Sequence, residues 1–217
     1  KPQKLGRIFL ILLSLFVVML GYGILLPILP YYTERLALKD NLDADRINFH
    51  IGMLTSIYPL FQLIFVIVWG RLSDKYGRKP IILVGLIGFI TMNLLTGLAT
   101  SLTMLYSARI FGGIFTSSVI PVSNAYLSDI TSQKRRTKTM AWSGVAISSG
   151  VIFGPVLGGL LSQTNVHLEL SFGIFHFNRF SIPFLFAAIL GLIILFVIIK
   201  WLKNTAIVTR IREKTIK

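Results

Sequence analysis

Long apolar stretches alternate with short charged ones along the whole chain. Five stretches carry no Asp, Glu, Lys or Arg: residues 8–30, 51–70, 80–99, 139–161 and 180–199. A sixth, 103–128, carries one, Arg109. A bilayer core takes about 20 apolar residues of helix, so each stretch is long enough to cross. The pattern predicts an all-α, polytopic membrane protein with six transmembrane helices and no separate soluble domain. The connections read as an outer loop over 31–50, a tight turn near 100–102, and a longer outer segment over 162–179. The last contains VHLELSFGIFHFNRF, whose polar–aromatic alternation fits a short hairpin or an interfacial segment.

Composition agrees with this reading. The 217 residues are 54% hydrophobic and 14% charged, too few charges for the surface of a soluble domain. The net charge of +14 raises the question of nucleic acid, and its distribution answers it. Seventeen Lys and Arg fall before the first stretch, in the second-to-third and fourth-to-fifth connections, and after the sixth stretch. Four fall on the opposite side: Arg35, Lys39, Arg46 and Arg179. That asymmetry orients helices and meets lipid headgroups; it predicts cytoplasmic termini, a bilayer partner and no nucleic acid. The sequence has no cysteine, and His50, His167 and His176 lack metal-ligand spacing, so no metal site is expected.

Pro and Gly recur inside the stretches. Gly150, Gly154 and Gly158 repeat every four residues on one helix face, with Pro155 and Gly159 beside them. Such a face lets another backbone approach closely. Near the end of the first stretch stand Gly21, Pro27 and Pro30, with Pro30 expected to end the helix. In the fourth stretch Arg109, Gly113, Thr116 and Asn124 fall on roughly one face. An intramembrane Arg costs at least ~2.5 kcal/mol on insertion scales, so it is expected to face a cavity or partner, or else to snorkel outward. Gln62 and Asn93 are further interior polar candidates. Between the second and third stretches, GRLSDKYGRKP places Gly70, Asp74, Lys75, Gly77, Arg78 and Lys79 in one connection. Gly77 suits a sharp reversal and Pro80 a helix's first turn. Asp129, followed by Arg135 and Arg136, reads as a second acid-plus-base cluster on the same membrane face.

These segments together resemble the major facilitator superfamily, in particular its twelve-helix drug:proton antiporters and, within them, the tetracycline efflux proteins. The resemblance rests on Gly70, Leu72, Asp74, Lys75, Gly77, Arg78 and Lys79 after the second helix; Gly21, Pro27 and Pro30 in the first; Arg109 and Gly113 in the fourth; and Gly150, Gly154, Pro155, Gly158 and Gly159 in the fifth. It implies a six-helix bundle of two inverted three-helix repeats, about 8–99 and 103–201, followed by a basic cytoplasmic tail over 202–217. It implies proton-coupled efflux of lipophilic or tetracycline-like compounds by alternating access. Arg109, Asn124, Gln62, Asn93 and Thr116 would then line the cavity, and the Asp74 and Asp129 clusters would form a cytoplasmic gate. No cofactor is implied beyond a proton or cation gradient, and the location implied is a bacterial cell membrane.

The sequence departs from the family pattern in several places. Gly112 stands where the family often has Gln, and Ala141 replaces a Gly. Positions that are acidic in the tetracycline group fall on Val18 and Met92, so no acid lies deep in any stretch. The length is about half that of family members. The expectation is an N-terminal half whose partner is a second six-helix half, or a second copy of the chain. Metabolite uptake or exchange, and a non-transporting half-size scaffold, are the alternative functions; an enzyme is not expected.

Overall fold

The computed structural model describes residues 2–162, 170–172, 175–177 and 180–202. The expected basic tail, apart from Leu202, lies outside them, as do His167 and Arg179. The described residues form helices α1 (Pro2–Lys39), α2 (Ala44–Tyr76), α3 (Arg78–Gly97), α4 (Leu102–Thr116), α5 (Val119–Ile130), α6 (Gln133–Ser162) and α7 (Ser181–Trp201). With α4 and α5 taken together, the described residues include six spans long and apolar enough to cross a membrane.

α1, α2 and α6 run well beyond their apolar stretches. α1 continues through Pro27 and Pro30 to Lys39, so Pro30 does not end it. Each proline deprives one carbonyl of its helical partner, yet helix geometry is kept, as it often is in bundles where neighbours support the backbone. The expected outer loop over 31–50 shrinks to a turn at Asp40–Asp43, with Asn41 at φ 53°. Asp43 caps α2 by accepting a hydrogen bond from the Arg46 amide at 3.2 Å. Similarly, Lys134–Lys138 lie within the opening turns of α6 rather than in a loop.

The fourth stretch is interrupted at Ser117–Ser118. Pro121 cannot donate to the Ser117 carbonyl. The Ser117 and Ser118 hydroxyls bond back to Ile114 O (2.6 Å) and Phe115 O (2.9 Å), which offers the backbone an alternative to regular helix. At the basic end of the bundle, Gly77 reverses the chain between α2 and α3 with φ 101°, ψ 160°. The alternating aromatic segment contains an antiparallel hairpin, β1 (Leu170–Phe172) against β2 (Phe175–Phe177), with Ser171 opposite His176.

α1 is the centre of the bundle, packed against α6, α7 and α2, while α3 packs against α7 and α4. Its buried side chains, among them Ile11, Leu15 and Ile24, join Ile82, Leu86 and Phe89 of α3 and Phe184 of α7. α2 and α6 keep long apolar faces uncovered, at Leu63 and Ile67 and at Ile152 and Val156. In lipid, helices associate through close packing and hydrogen bonds rather than through water exclusion. The close packing of that core, the glycine seams and a small number of polar links therefore hold this bundle.

Candidate functional site

Arg109 begins the site. Two turns into α4, it is 3% exposed, so it does not snorkel to the surface. The two glycines after it explain its surroundings. A Cβ on Gly113 would lie 2.6 Å from the Tyr58 carbonyl oxygen and 2.9 Å from Phe61 Cβ, while one on Gly112 would collide with Met92. Gly113 thus draws α2 against α4, and Gly112 draws in α3. The approach of α2 sets the Tyr58 ring 5.5 Å from the Arg109 guanidinium carbon, a cation–π contact. Thr116 donates its hydroxyl proton to the Gly112 carbonyl at 2.7 Å. The Tyr58 hydroxyl, 2.7 Å from Thr116 Oγ1, is therefore the donor in that bond, because a hydroxyl has one proton to give. Tyr22 of α1 stacks on Tyr58 with ring centroids 5.7 Å apart. The group unites α1, α2 and α4 in the middle of the bundle. Arg109 Nε has no hydrogen-bond partner, and among the described residues no carboxylate pairs with this guanidinium.

The other interior polar residues are dispersed. Thr116 belongs to the Arg109 group. Asn124 accepts a 2.5 Å hydrogen bond from Ser143, linking α5 to α6. Asn93 donates to Phe89 O of its own helix at 2.8 Å and leaves Oδ1 unpaired. Gln62 is half-buried on α2, one helical turn from Tyr58. Val18 and Met92 are buried among apolar neighbours. Sequence reasoning missed Tyr22 and Tyr58. The available signal was a tyrosine within an apolar stretch, whose hydroxyl needs a partner once buried.

The α6 glycines meet α1. A Cβ at Gly150 would fall 2.5 Å from Phe16 O, at Gly154 2.6 Å from Gly23 Cα, and at Gly158 2.9 Å from Ile24 O. Three successive turns of α6 thus rest on α1 backbone, with Gly23 as the matching small residue. Pro155 lies within α6, and Gly159 faces open space. Gly21 accommodates the Phe89 ring of α3, while Pro27 is exposed and Pro30 half-buried.

At the basic end, Arg78 is the hub. Its Nη1 donates to Ser73 Oγ at 2.6 Å and pairs with Asp74 at 2.5 Å, and its Nε meets Asp129 Oδ2 at 3.3 Å. The two acid-plus-base clusters expected from the sequence are thus one network, joining the end of α2 and the start of α3 to the end of α5. Asp129 pairs with Arg78 rather than with Arg135 or Arg136; both of these are exposed, and Arg136 reaches Ser128 O at 3.4 Å. The reason is geometric: both bases sit on the opening turn of α6, whereas Arg78 stands beside the end of α5. Lys79 bonds Ile199 O of α7 at 2.7 Å, Lys75 sits over its neighbour Tyr76, and Gly70 has open space around it. At the opposite end His50 Nδ1 and Tyr106 Oη lie 2.9 Å apart, linking α2 to α4.

Residues 11–215 match the model of the Major Facilitator Superfamily. The chain is 36% identical over 198 residues to the tetracycline resistance protein, class H, of Pasteurella multocida, covering 91% of this chain and 44% of that protein. It is 35% identical over 187 residues to multidrug resistance protein 2 of Bacillus subtilis, covering 86% and 41%. Among solved structures, a bacterial homologue of the human lysosomal transporter Spinster, inward-facing and occupied, superposes with a TM-score of 0.78 at 16% identity, over 94% of this chain and 45% of that one. The chain spans less than half the length of the curated relatives it matches. It belongs to the major facilitator superfamily, a family of multi-pass cell-membrane transporters rather than enzymes.

Proposed function

We propose that this superfamily member works in efflux, moving lipophilic aromatic compounds such as tetracycline-like drugs across the cell membrane by alternating access. The observation that carries the reading is the buried, acid-free Arg109 group in the middle of an apolar bundle. A charge held at that depth marks a substrate or ion pathway by default, and three helices are shaped to hold it. The names of the tetracycline and multidrug resistance relatives favour export over uptake.

In this reading a proton or cation gradient drives transport. The six-helix bundle, built from the inverted three-helix repeats 8–99 and 103–201, rocks as one body, and the α1–α6 seam keeps it rigid. The uncovered faces of α2 and α6 meet a second six-helix half or another copy. The Arg78 network, at the cytoplasmic side, is the gate that holds one conformation and releases in the other.

The test is accumulation of tetracycline and of a lipophilic fluorescent dye in everted vesicles carrying the natural protein. Uptake into energised vesicles, abolished by an uncoupler, is expected. Accumulation in right-side-out vesicles alone would favour metabolite import, and no movement in either would favour a scaffold.

A further inference from the structure

We infer that Arg109, Tyr58 and Tyr22 form a recognition site for an aromatic monoanion, a ring bearing a carboxylate or an equally acidic enolate. The inference rests on the transport reading and names the substrate class for it.

Charge balance points to an anion. The acids of the described residues gather at the two ends of the bundle: Glu34, Asp40, Asp43 and Asp45 at one, Asp74 and Asp129 at the other. Between them Arg109 is the one charged side chain among the described residues, 3% exposed and with Nε unpaired. A buried charge without a partner is strongly unfavourable. The Tyr58 contact offsets part of this, since a cation–π interaction contributes roughly 0.5–2 kcal/mol, but it supplies no acceptor. Guanidinium donors are completed by a planar, two-oxygen anion, which they bind in a bidentate manner. A cation brought to the same place would meet like charge in a poorly screened interior.

The shape of the group points to an aromatic ring. Tyr22 and Tyr58 make a stacked pair beside the guanidinium, and the Thr116 bond holds the Tyr58 ring in place. Tyr22 is half-exposed, and Leu26, one turn further along the same face of α1, is 41% exposed. The aromatic pair is thus partly uncovered at Tyr22, while the charge itself is buried. In the proposed site a flat ring rests on the uncovered part of Tyr22 and its acidic group pairs with Arg109. Gln62, half-buried one turn from Tyr58 on α2, would supply an amide for a second polar substituent.

The experiment measures binding, not transport. The purified natural protein is titrated at neutral pH with three isosteric probes: 1-naphthoate, 1-naphthylmethanol and 1-naphthylmethylammonium. Naphthoate is expected to bind at least about tenfold (~1.4 kcal/mol) more tightly than the alcohol, and the ammonium more weakly than either. Arg109→Gln should reduce naphthoate to the affinity of the alcohol while leaving the alcohol within about twofold. Arg109→Lys should keep part of the preference. Equal affinities, a preference for the ammonium, or a naphthoate preference that survives Arg109→Gln would each overturn the inference. A preferred ammonium would mean that an acid elsewhere in the natural protein neutralises Arg109. If Arg109→Gln gives no monodisperse protein, the wild-type order of the probes and the lysine variant decide. Anion preference without vesicle transport would defeat the transport reading and leave this site standing. Transport without charge preference would do the reverse.

Discussion

The α1–α6 seam makes a prediction whose size follows from the coordinates. A methyl group at Gly154 would meet Gly23 Cα at 2.6 Å, Gly23 C at 2.7 Å and Ile24 N at 2.7 Å. All three are backbone atoms, so no side chain can rotate away. Ordinary carbon contacts lie at about 3.5–4.0 Å, so the two helices must separate by roughly 1 Å. The contacts at Gly150 and Gly158 lie on the same two helices and would loosen with it. Forcing an extra methyl into a packed interior costs roughly 1–3 kcal/mol, and the upper part of that range applies where only backbone can yield. Gly159→Ala is the internal control: it adds the same methyl to the same helix, with nothing within 4 Å. Thermal unfolding in one detergent, followed by the helical circular dichroism signal, compares the two variants. Gly154→Ala should melt several degrees below wild type, at about 2–4 °C per kcal/mol for a chain of this size, and Gly159→Ala within a degree or so of it. Coincident melting of the two variants would refute the seam.

Three further outcomes follow from the polar links. Gly77→Ala places a side chain at φ 101°, ψ 160°, a region nearly confined to glycine, and should destabilise by roughly 1–3 kcal/mol in the same assay; a neutral substitution would mean the α2–α3 reversal is not held there. Asp74→Asn removes one exposed partner of Arg78 and should cost under ~1 kcal/mol while slowing vesicle transport and leaving membrane insertion intact. Wild-type transport in that variant would remove Asp74 from the gate. A double-mutant cycle on Arg78 and Asp129 should give a coupling of about 0.2–1 kcal/mol, and the cycle pairing Asp129 with Arg135 should give none.

The spans were legible because hydropathy reads the thickness of the bilayer directly. For the same reason it under-read the helices. α1 runs nine residues past Pro30 to Lys39, and α2 starts at Ala44, because a charged extension outside the hydrocarbon has no hydropathy signal. The interruption after Thr116 could have been anticipated from Pro121, which leaves the Ser117 carbonyl without a donor. The glycine repeat of α6 announced a close partner but could not name it, since Gly23 and Gly154 belong to helices distant in sequence. The Arg78–Asp129 pair, 51 residues apart, was hidden for the same reason; local spacing favoured Arg135 and Arg136. Arg109 was conspicuous as the lone charge in an apolar run. Its aromatic neighbours were not, because Tyr22 and Tyr58 converge on it only after Gly113 has brought α2 and α4 together.

The claim on which the account turns is that the transport path runs past Arg109. Initial rates of tetracycline accumulation in energised everted vesicles, at matched amounts of protein in the membrane, test it for wild type and for Arg109→Gln. A loss of at least about tenfold is expected, the size of a removed charge-assisted contact. Accumulation at the wild-type rate by a correctly inserted Arg109→Gln protein would contradict it.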